Sequence, residues 1–518
     1  MKSLHPCSCA PLLLLLLTAS AALADVRLPA IFSDHMVLLQ SCEVPVWGWA
    51  DPGEEVTVSV HASGGETTQA LQSQKTTALA DGTWRINLDP MDTRVPLGLQ
   101  IQAKNQIAVE DVLLGEVWLG SGQSNMAMPV SRAMNFEAEK QTAALPGLRM
   151  FKEESGPSEA PQKEGKGRWV VCSPETVGSF SATLYFFGRE IHQTLNVPVG
   201  LINSSVGGTP IESWIAPEAQ QASAELKPFF EADDDEKTSE GAGTALEKYQ
   251  KKLARWKENA KRAREQKENA PPAPRKPADV QSRKPNIGGL FNGKIAPLIP
   301  FAVRGVLWYQ GEANSLPAKA PFYEAQLRLL VTDWRTRWGR ELPFAWAQLP
   351  NFGGPGRDWP AVREAMLKAL ALPKTGMGIN IDIGEEKNIH PQNKQEVGRR
   401  LSLWALGTVY NHPVPATSGP LPMGHEVRGA EVVLKFSHTN GGLVSRDGEL
   451  KGFTIAGEDK EWKPADAKIE GDRVVVSSQE VKAPVAVRYA WQNLPDCNLY
   501  NGAGLPASPF RTDSWPRP

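Results

Sequence analysis

Ser124 and His390 are the two residues of this chain whose surroundings suit acyl transfer. Ser124 stands in Gly122-Gln123-Ser124-Asn125-Met126, directly after the apolar run Val112-Leu113-Leu114-Gly115-Glu116-Val117-Trp118-Leu119. That run reads as a buried strand, and Gly120 and Gly122 permit the sharp turn that leaves the serine hydroxyl at its carboxyl end. In open α/β sheets ligands bind at that end. His390 stands in Asn388-Ile389-His390-Pro391-Gln392-Asn393-Lys394, a loop expected between a strand over 377–383 and a helix, from which an imidazole reaches over a sheet edge. A hydroxyl nucleophile and a base brought together are the apparatus of acyl transfer.

Neither residue carries this reading alone, since most serines and most loop histidines do nothing chemical. Two further segments strengthen it. In Ile202-Asn203-Ser204-Ser205-Val206-Gly207-Gly208-Thr209-Pro210 a strand runs into paired glycines, whose N–H groups can face a ligand with no side chain in the way, as an oxyanion hole requires. A plain tight turn accounts for such glycines more often than catalysis does when nothing else is present. In Gly305-Val306-Leu307-Trp308-Tyr309-Gln310-Gly311-Glu312-Ala313-Asn314 another apolar strand ends in a polar turn. Gln310 and Asn314 offer amide donors to an oxyanion, and Glu312 either orients one of them, touches substrate or holds the loop. Trp214, Trp308 and Tyr309 are candidates both for a sugar subsite and for core packing. The G-x-S-x-G elbow, the H-E-x-x-H zinc motif and the G-x-x-x-x-G-K-[ST] phosphate loop are all missing.

These segments need a scaffold, and the chain is long enough for two or three domains at 518 residues. Residues 1–24 combine Lys2, a leucine run from Leu12 to Leu17 and Ala22-Leu23-Ala24, the pattern of a cleavable secretory signal peptide too short to span a membrane. A secreted or periplasmic protein without a membrane anchor is therefore expected. From 25 to 110 short alternating runs such as Val44–Trp49 and Val56–Val60 predict a β-sandwich. From 111 to 410 strands at 112–119, 198–204, 302–309, 343–348 and 377–383 alternate with helical spacing over 182–194, 321–338 and 393–408, which predicts an α/β domain with a largely parallel sheet. Residues 217–285 read as a charged helical insertion followed by a stiff Pro-rich linker. Residues 411–518 return to β character. Net charge is −2, which gives no electrostatic reason for a nucleic-acid partner. Past residue 24 only Cys42, Cys172 and Cys497 remain, enough for one bridge but not a disulfide framework, and no metal-ligand spacing occurs.

The strings GEVWLGSGQSNM, GLINSSVGGTPIESW, LFNGKIAPLIPFAVRGVLWYQGEAN and IHPQNKQEVGRRL resemble, in order, the signatures of the sialate O-acetylesterase group of the SGNH hydrolase superfamily, related to carbohydrate esterase family 6. The resemblance implies an SGNH-hydrolase-like (flavodoxin-like) three-layer α/β domain with flanking β-sandwich domains, and a cofactor-free serine esterase acting on O-acetylated carbohydrate. It implies Ser124 as nucleophile and His390 as base. The oxyanion hole would comprise the Ser124 N–H, Gly207 or Gly208 (Gly208 preferred) and Gln310, with Asn314 as a weaker choice. The superfamily often places Asp three residues before the histidine, where this chain has Lys387, so Asp382, Glu385 or Glu386 supplies the third member or the site works as a dyad. An acetylxylan or other polysaccharide deacetylase is the second reading, and a non-catalytic carbohydrate-binding protein on the same scaffold the third.

Overall fold

In the computed structural model, described for residues 25–63, 70–231, part of 250–262 and 287–516, a mixed α/β fold is built on a central mixed sheet with smaller β-sheets flanking it. Residues 1–24, the expected signal peptide, lie outside the described residues, as does most of the expected 217–285 insertion beyond its opening helix Pro217–Ala222.

The sheet is organised by one 17-residue strand, β1 (Gln106–Gly122). Its first half pairs antiparallel with Leu97–Gln102 in the N-terminal region, and its second half is the middle of the central sheet. On one side of β1 lie β4 (Val199–Ser205), β2 (Leu145–Glu153) and β3 (Gly167–Cys172). On the other lie β5 (Gly305–Tyr309), β6 (Phe344–Ala347) and β7 (Thr375–Gly378). All neighbours are parallel except β2 and β3. The chain thus leaves β1 to build one flank and returns beside β1 to build the other. That reversal opens a crevice beyond the carboxyl end of β1.

Register shows how helices cover both faces. Trp118 and Gly120 pair with Gly305 and Leu307, so these share one face, while Trp308 belongs to the other. Trp118 packs edge-on against Phe187 of α2 (Ala182–Leu195) and Trp404 of α4 (Lys394–Trp404). Trp308 packs against Trp214 and against Trp334 of α3 (Tyr323–Trp338). Near-continuous burial along β1, β4 and β5 is what a parallel sheet covered on both sides demands. The strand expected over 377–383 is shorter than its apolar pattern suggested. The last ladder bond runs from the Gln348 N–H to the Gly378 carbonyl, after which Arg400 takes the Ile379 carbonyl and Asn380 bonds to Gln348. Side chains replace the ladder there, and residues 379–392 become a long loop. In the N-terminal region Val44–Trp49 pairs with Thr83–Leu88, and Glu55–Ala62 lies between Gln72–Thr77 and Leu97–Gln102. The C-terminal region contributes antiparallel sheets between Leu421 and Arg511. Cys42, Cys172 and Cys497 are all free, so no bridge joins them.

Three glycines in β1, Gly115, Gly120 and Gly122, are required by contact. A Cβ on Gly120 would stand 2.5 Å from Leu184 of α2, and one on Gly122 would stand 2.2 Å from the Tyr309 carbonyl oxygen at a φ of +134°. Gly122→Ala is therefore expected to destabilise the fold by more than about 1 kcal/mol. The urea midpoint measures this, and an unchanged midpoint would contradict the packing.

Candidate active site

Ser124 opens α1 (Ser124–Ala127), a single turn placed at the end of β1 by the bend at Gly122. Its neighbours are both immobilised. The Gln123 N–H donates to the Tyr309 carbonyl at 3.0 Å, and Gln123 Oε1 accepts from the Ala313 N–H and from Gln310 Nε2, each at 3.2 Å. Asn125 is wholly buried and uses its entire side-chain amide. Its Nδ2 donates to Glu312 Oε1 at 2.5 Å and to the Ile389 carbonyl at 3.0 Å, while its Oδ1 accepts from Lys394 Nζ at 2.8 Å. Between these two fixed residues only the Ser124 side chain stands half open.

The Asn125 bond to Ile389 brings the next residue, His390, to the serine turn. Lys394 adds a second tie, since its Nζ also donates to the Pro391 carbonyl at 2.7 Å. His390 is thus gripped through the residues on either side of it. Its own backbone is closed by Asn388, whose Oδ1 accepts from the His390 N–H at 3.1 Å and whose Nδ2 donates to the His390 carbonyl at 2.9 Å. Among the described residues neither the Ser124 hydroxyl nor the His390 imidazole is engaged by another protein group. Burial, then the nearby Arg132 and Lys394 cations, hold the imidazole below its ordinary value of 6.5. It is therefore neutral, with a free lone pair, near neutral pH.

None of the three expected acidic partners hydrogen-bonds to that ring. Asp382 is a two-pronged partner of Arg400, at 2.6 and 2.9 Å, and also accepts from the Tyr500 hydroxyl at 3.1 Å. Glu385 braces the loop backbone, accepting from the Gln392 N–H at 2.7 Å and from Asn388 Nδ2 at 3.0 Å. Glu386 is exposed. The oxygens of Asp382 and Glu385 are thus taken by other protein donors.

The glycine loop follows β4 directly. The Val206 N–H donates to the Gly122 carbonyl at 3.1 Å, which pins the loop beside the serine turn. A methyl group added to Gly207 would stand 3.4 Å from Ser124 Cβ, whereas one added to Gly208 meets nothing within 4 Å, although φ is +74° there. Gly207, not the preferred Gly208, is the glycine against the serine. Both are exposed. Gln310 and Asn314 are placed differently from the expectation that they donate into the site. Gln310 is fully buried, and its Nε2 is shared among Asn314 Oδ1 at 2.7 Å and the Thr209 carbonyl and Gln123 Oε1 at 3.2 Å. Asn314 is fully buried too, accepting from the Ile211 N–H at 2.9 Å and donating to Glu212 at 2.8 Å. These amides lock the glycine loop to the turn after β5. Trp214, Trp308 and Tyr309 are completely buried and pack the core, so none presents a ring face to a ligand. Glu312 is also buried, which pushes its carboxyl above the usual range, and its second oxygen has no partner.

A family model for carbohydrate esterases, the sialic acid-specific acetylesterases, matches residues 293–404. A solved carbohydrate acetylesterase from Xanthomonas citri is 34% identical, with a TM-score of 0.79, over 95% of this chain and 100% of that one. The chain belongs to this carbohydrate esterase family. It is accordingly an ester hydrolase. Rattus norvegicus sialate O-acetylesterase is 28% identical over 98% of both chains, and the Homo sapiens protein of the same name 27% identical over 93% of this chain and 92% of its own.

Asn125 and Lys394 carried no role in the sequence reading. One signal was present: Lys394, Val397, Leu401 and Trp404 follow the helical spacing of an apolar face, which puts a lysine in the core-facing row. The perturbed imidazole gives a direct check. A proton NMR titration should find His390 below 6.5, and Arg132→Gln should move it upward by removing one cation. A value at or above that of an ordinary imidazole would contradict the electrostatics.

Proposed function

We propose that this esterase hydrolyses acetyl esters on sugars through Ser124 and His390 acting as a dyad, with O-acetylated sialic acid as the substrate class. The observation that carries the site assignment is the bond from Asn125 to the Ile389 carbonyl, at 3.0 Å, which sets the residue after the serine against the residue before the histidine. Both reactive groups are otherwise unengaged.

His390 removes the Ser124 proton as Oγ attacks the acetyl carbonyl carbon. The oxyanion is met by the N–H groups of Ser124 and Gly207, the first at the opening of α1 and the second on an exposed loop without a side chain. Collapse breaks the bond to the sugar oxygen, which leaves with the proton from His390. Water then attacks the acetyl-enzyme, again giving its proton to His390, and acetate departs with Ser124 restored. Placement of Ser124 at the crevice where the sheet reverses supports the SGNH-hydrolase-like reading of the core, and the flanking sheets support accessory β-sandwich domains. Residues 1–24 support export. No helix among the described residues is long and apolar enough to cross a membrane.

Sialate as the sugar rests on the mammalian relatives, which match over nearly the whole chain. The name of the Xanthomonas citri enzyme specifies no sugar, so polysaccharide deacetylation is the second reading. Acetate release from O-acetylated sialic acid should exceed that from acetylated xylan, and the opposite order would transfer the assignment. Ser124→Ala should leave the circular dichroism and melting temperature in place and abolish acetate release, which would exclude a purely binding role. Turnover retained in that variant would remove Ser124 from the mechanism. Gly207→Ala crowds the serine and should lower kcat on the order of a hundredfold. Gly208→Ala instead adds backbone strain and should act mainly on stability.

A further inference from the structure

We propose that Lys394 is the positioning residue of this site, its buried ammonium holding the His390 loop in register with Ser124 and performing the orienting task usually given to an acidic third residue. The inference rests on the Ser124–His390 reading and adds a residue to it.

The geometry is a clasp centred on one nitrogen. Lys394 Nζ reaches Asn125, next to the nucleophile, and Pro391, next to the base, at 2.8 and 2.7 Å. It lies over the Tyr309 ring, 5.4 Å from the centroid, so the third N–H meets an aromatic face rather than water. The side chain is 0% exposed. A lysine without solvent access and without a direct carboxylate partner is costly unless something nearby favours its charge. Glu312 does so through Asn125: carboxylate, amide and ammonium stand in line, the amide N–H toward the negative end and its carbonyl toward the positive one. The polarised amide is then fixed in orientation, and with it the Ile389 carbonyl it holds.

Charged neighbours reach the clasp from every side. Glu312 and Glu385 favour the ammonium and Arg132 opposes it, while Glu312 in turn faces Arg357 and the buried Tyr309 and Tyr323 hydroxyls. Burial outweighs these, so the amine is brought down to about 7. Above that pH the neutral amine still donates two hydrogens but no longer stabilises the Glu312 carboxylate, and the alignment across Asn125 loosens. His390 must be unprotonated to act and Lys394 protonated to hold it. Activity should therefore fall on the alkaline side for a reason that lies outside the reacting atoms.

The test is the pH dependence of kcat for an aryl acetate, measured on the full chain. Wild type should lose turnover as Lys394 deprotonates. Lys394→Met should lower kcat on the order of a hundredfold, leave KM within about twofold and abolish the alkaline limb. Glu312→Gln keeps the shape of the side chain and removes the charge that favours the ammonium, so the limb should move to lower pH. That variant decides the question if Lys394→Met does not fold. An alkaline limb unmoved in Glu312→Gln, or a rise in KM with kcat unchanged, would overturn the role. Residual activity in Ser124→Ala would instead point to the dyad assignment as the failure.

Discussion

One side-chain amide, that of Asn125, joins the halves of this site. Its two hydrogens and its oxygen have three separate obligations: a carboxylate after β5, a carbonyl of the histidine loop and the Lys394 ammonium. Because it is wholly buried, none of these can be exchanged for water without leaving an unpaired polar group, at a cost of about 1–3 kcal/mol each. Residue 125, residue 312 and the pair 389 and 394 come from three separate stretches of sequence, yet the geometry of the nucleophile and base depends on all four. A loop 14 residues long, 379–392, is thereby fixed although it has little regular structure of its own.

The sheet prepares the place for that amide. Reversal of direction at β1 brings the ends of β4 and β5 to either side of it, and each end supplies one layer of the crevice. Gly122 allows the Tyr309 carbonyl to approach so closely that the Gln123 N–H can bond to it. Gln310 and Asn314 then tie the glycine loop to the turn after β5, so that all three strand ends move as one body. Beneath them lies a row of aromatic packing, Trp214 on Trp308 on Trp334, in which truncation of a single indole typically costs about 3–5 kcal/mol. Rigidity at the rim follows from density below it.

The strands and helices of the central region were readable because parallel strands and amphipathic helices impose period and length on the apolar residues. Ser124 stood out as a candidate because a glycine-bounded turn directly follows a long apolar run, and His390 because its loop lies between an apolar strand pattern and a helix. What escaped was the division of labour among polar residues. Gln310 and Asn314 looked like donors to a ligand, but their hydrogens face protein groups, among them the Thr209 carbonyl and the Glu212 carboxylate, 101 and 102 residues away in the chain, and spacing along a sequence carries no information about such partners. The tryptophan and tyrosine beside the motifs looked equally suited to sugar and core, and burial decided for the core. Asp382 was plausible by proximity to His390 in sequence, but Arg400, about one turn and a half into α4, presents a better-matched fork. The lysine in the apolar row of α4 was an anomaly visible in the sequence.

Arg363 shows how far the site's support extends. It is completely buried, and its guanidinium donates to the carbonyls of Leu349 and Pro350 on one side and of Gln492 and Asn493 on the other, with no carboxylate among them. Burial draws its proton affinity down to about 9. Two of its four acceptors lie some 130 residues later in the chain, in the C-terminal region. The α/β body is therefore held to the C-terminal region through a buried cation, and removal of Gln492 and Asn493 would leave that charge with half its acceptors.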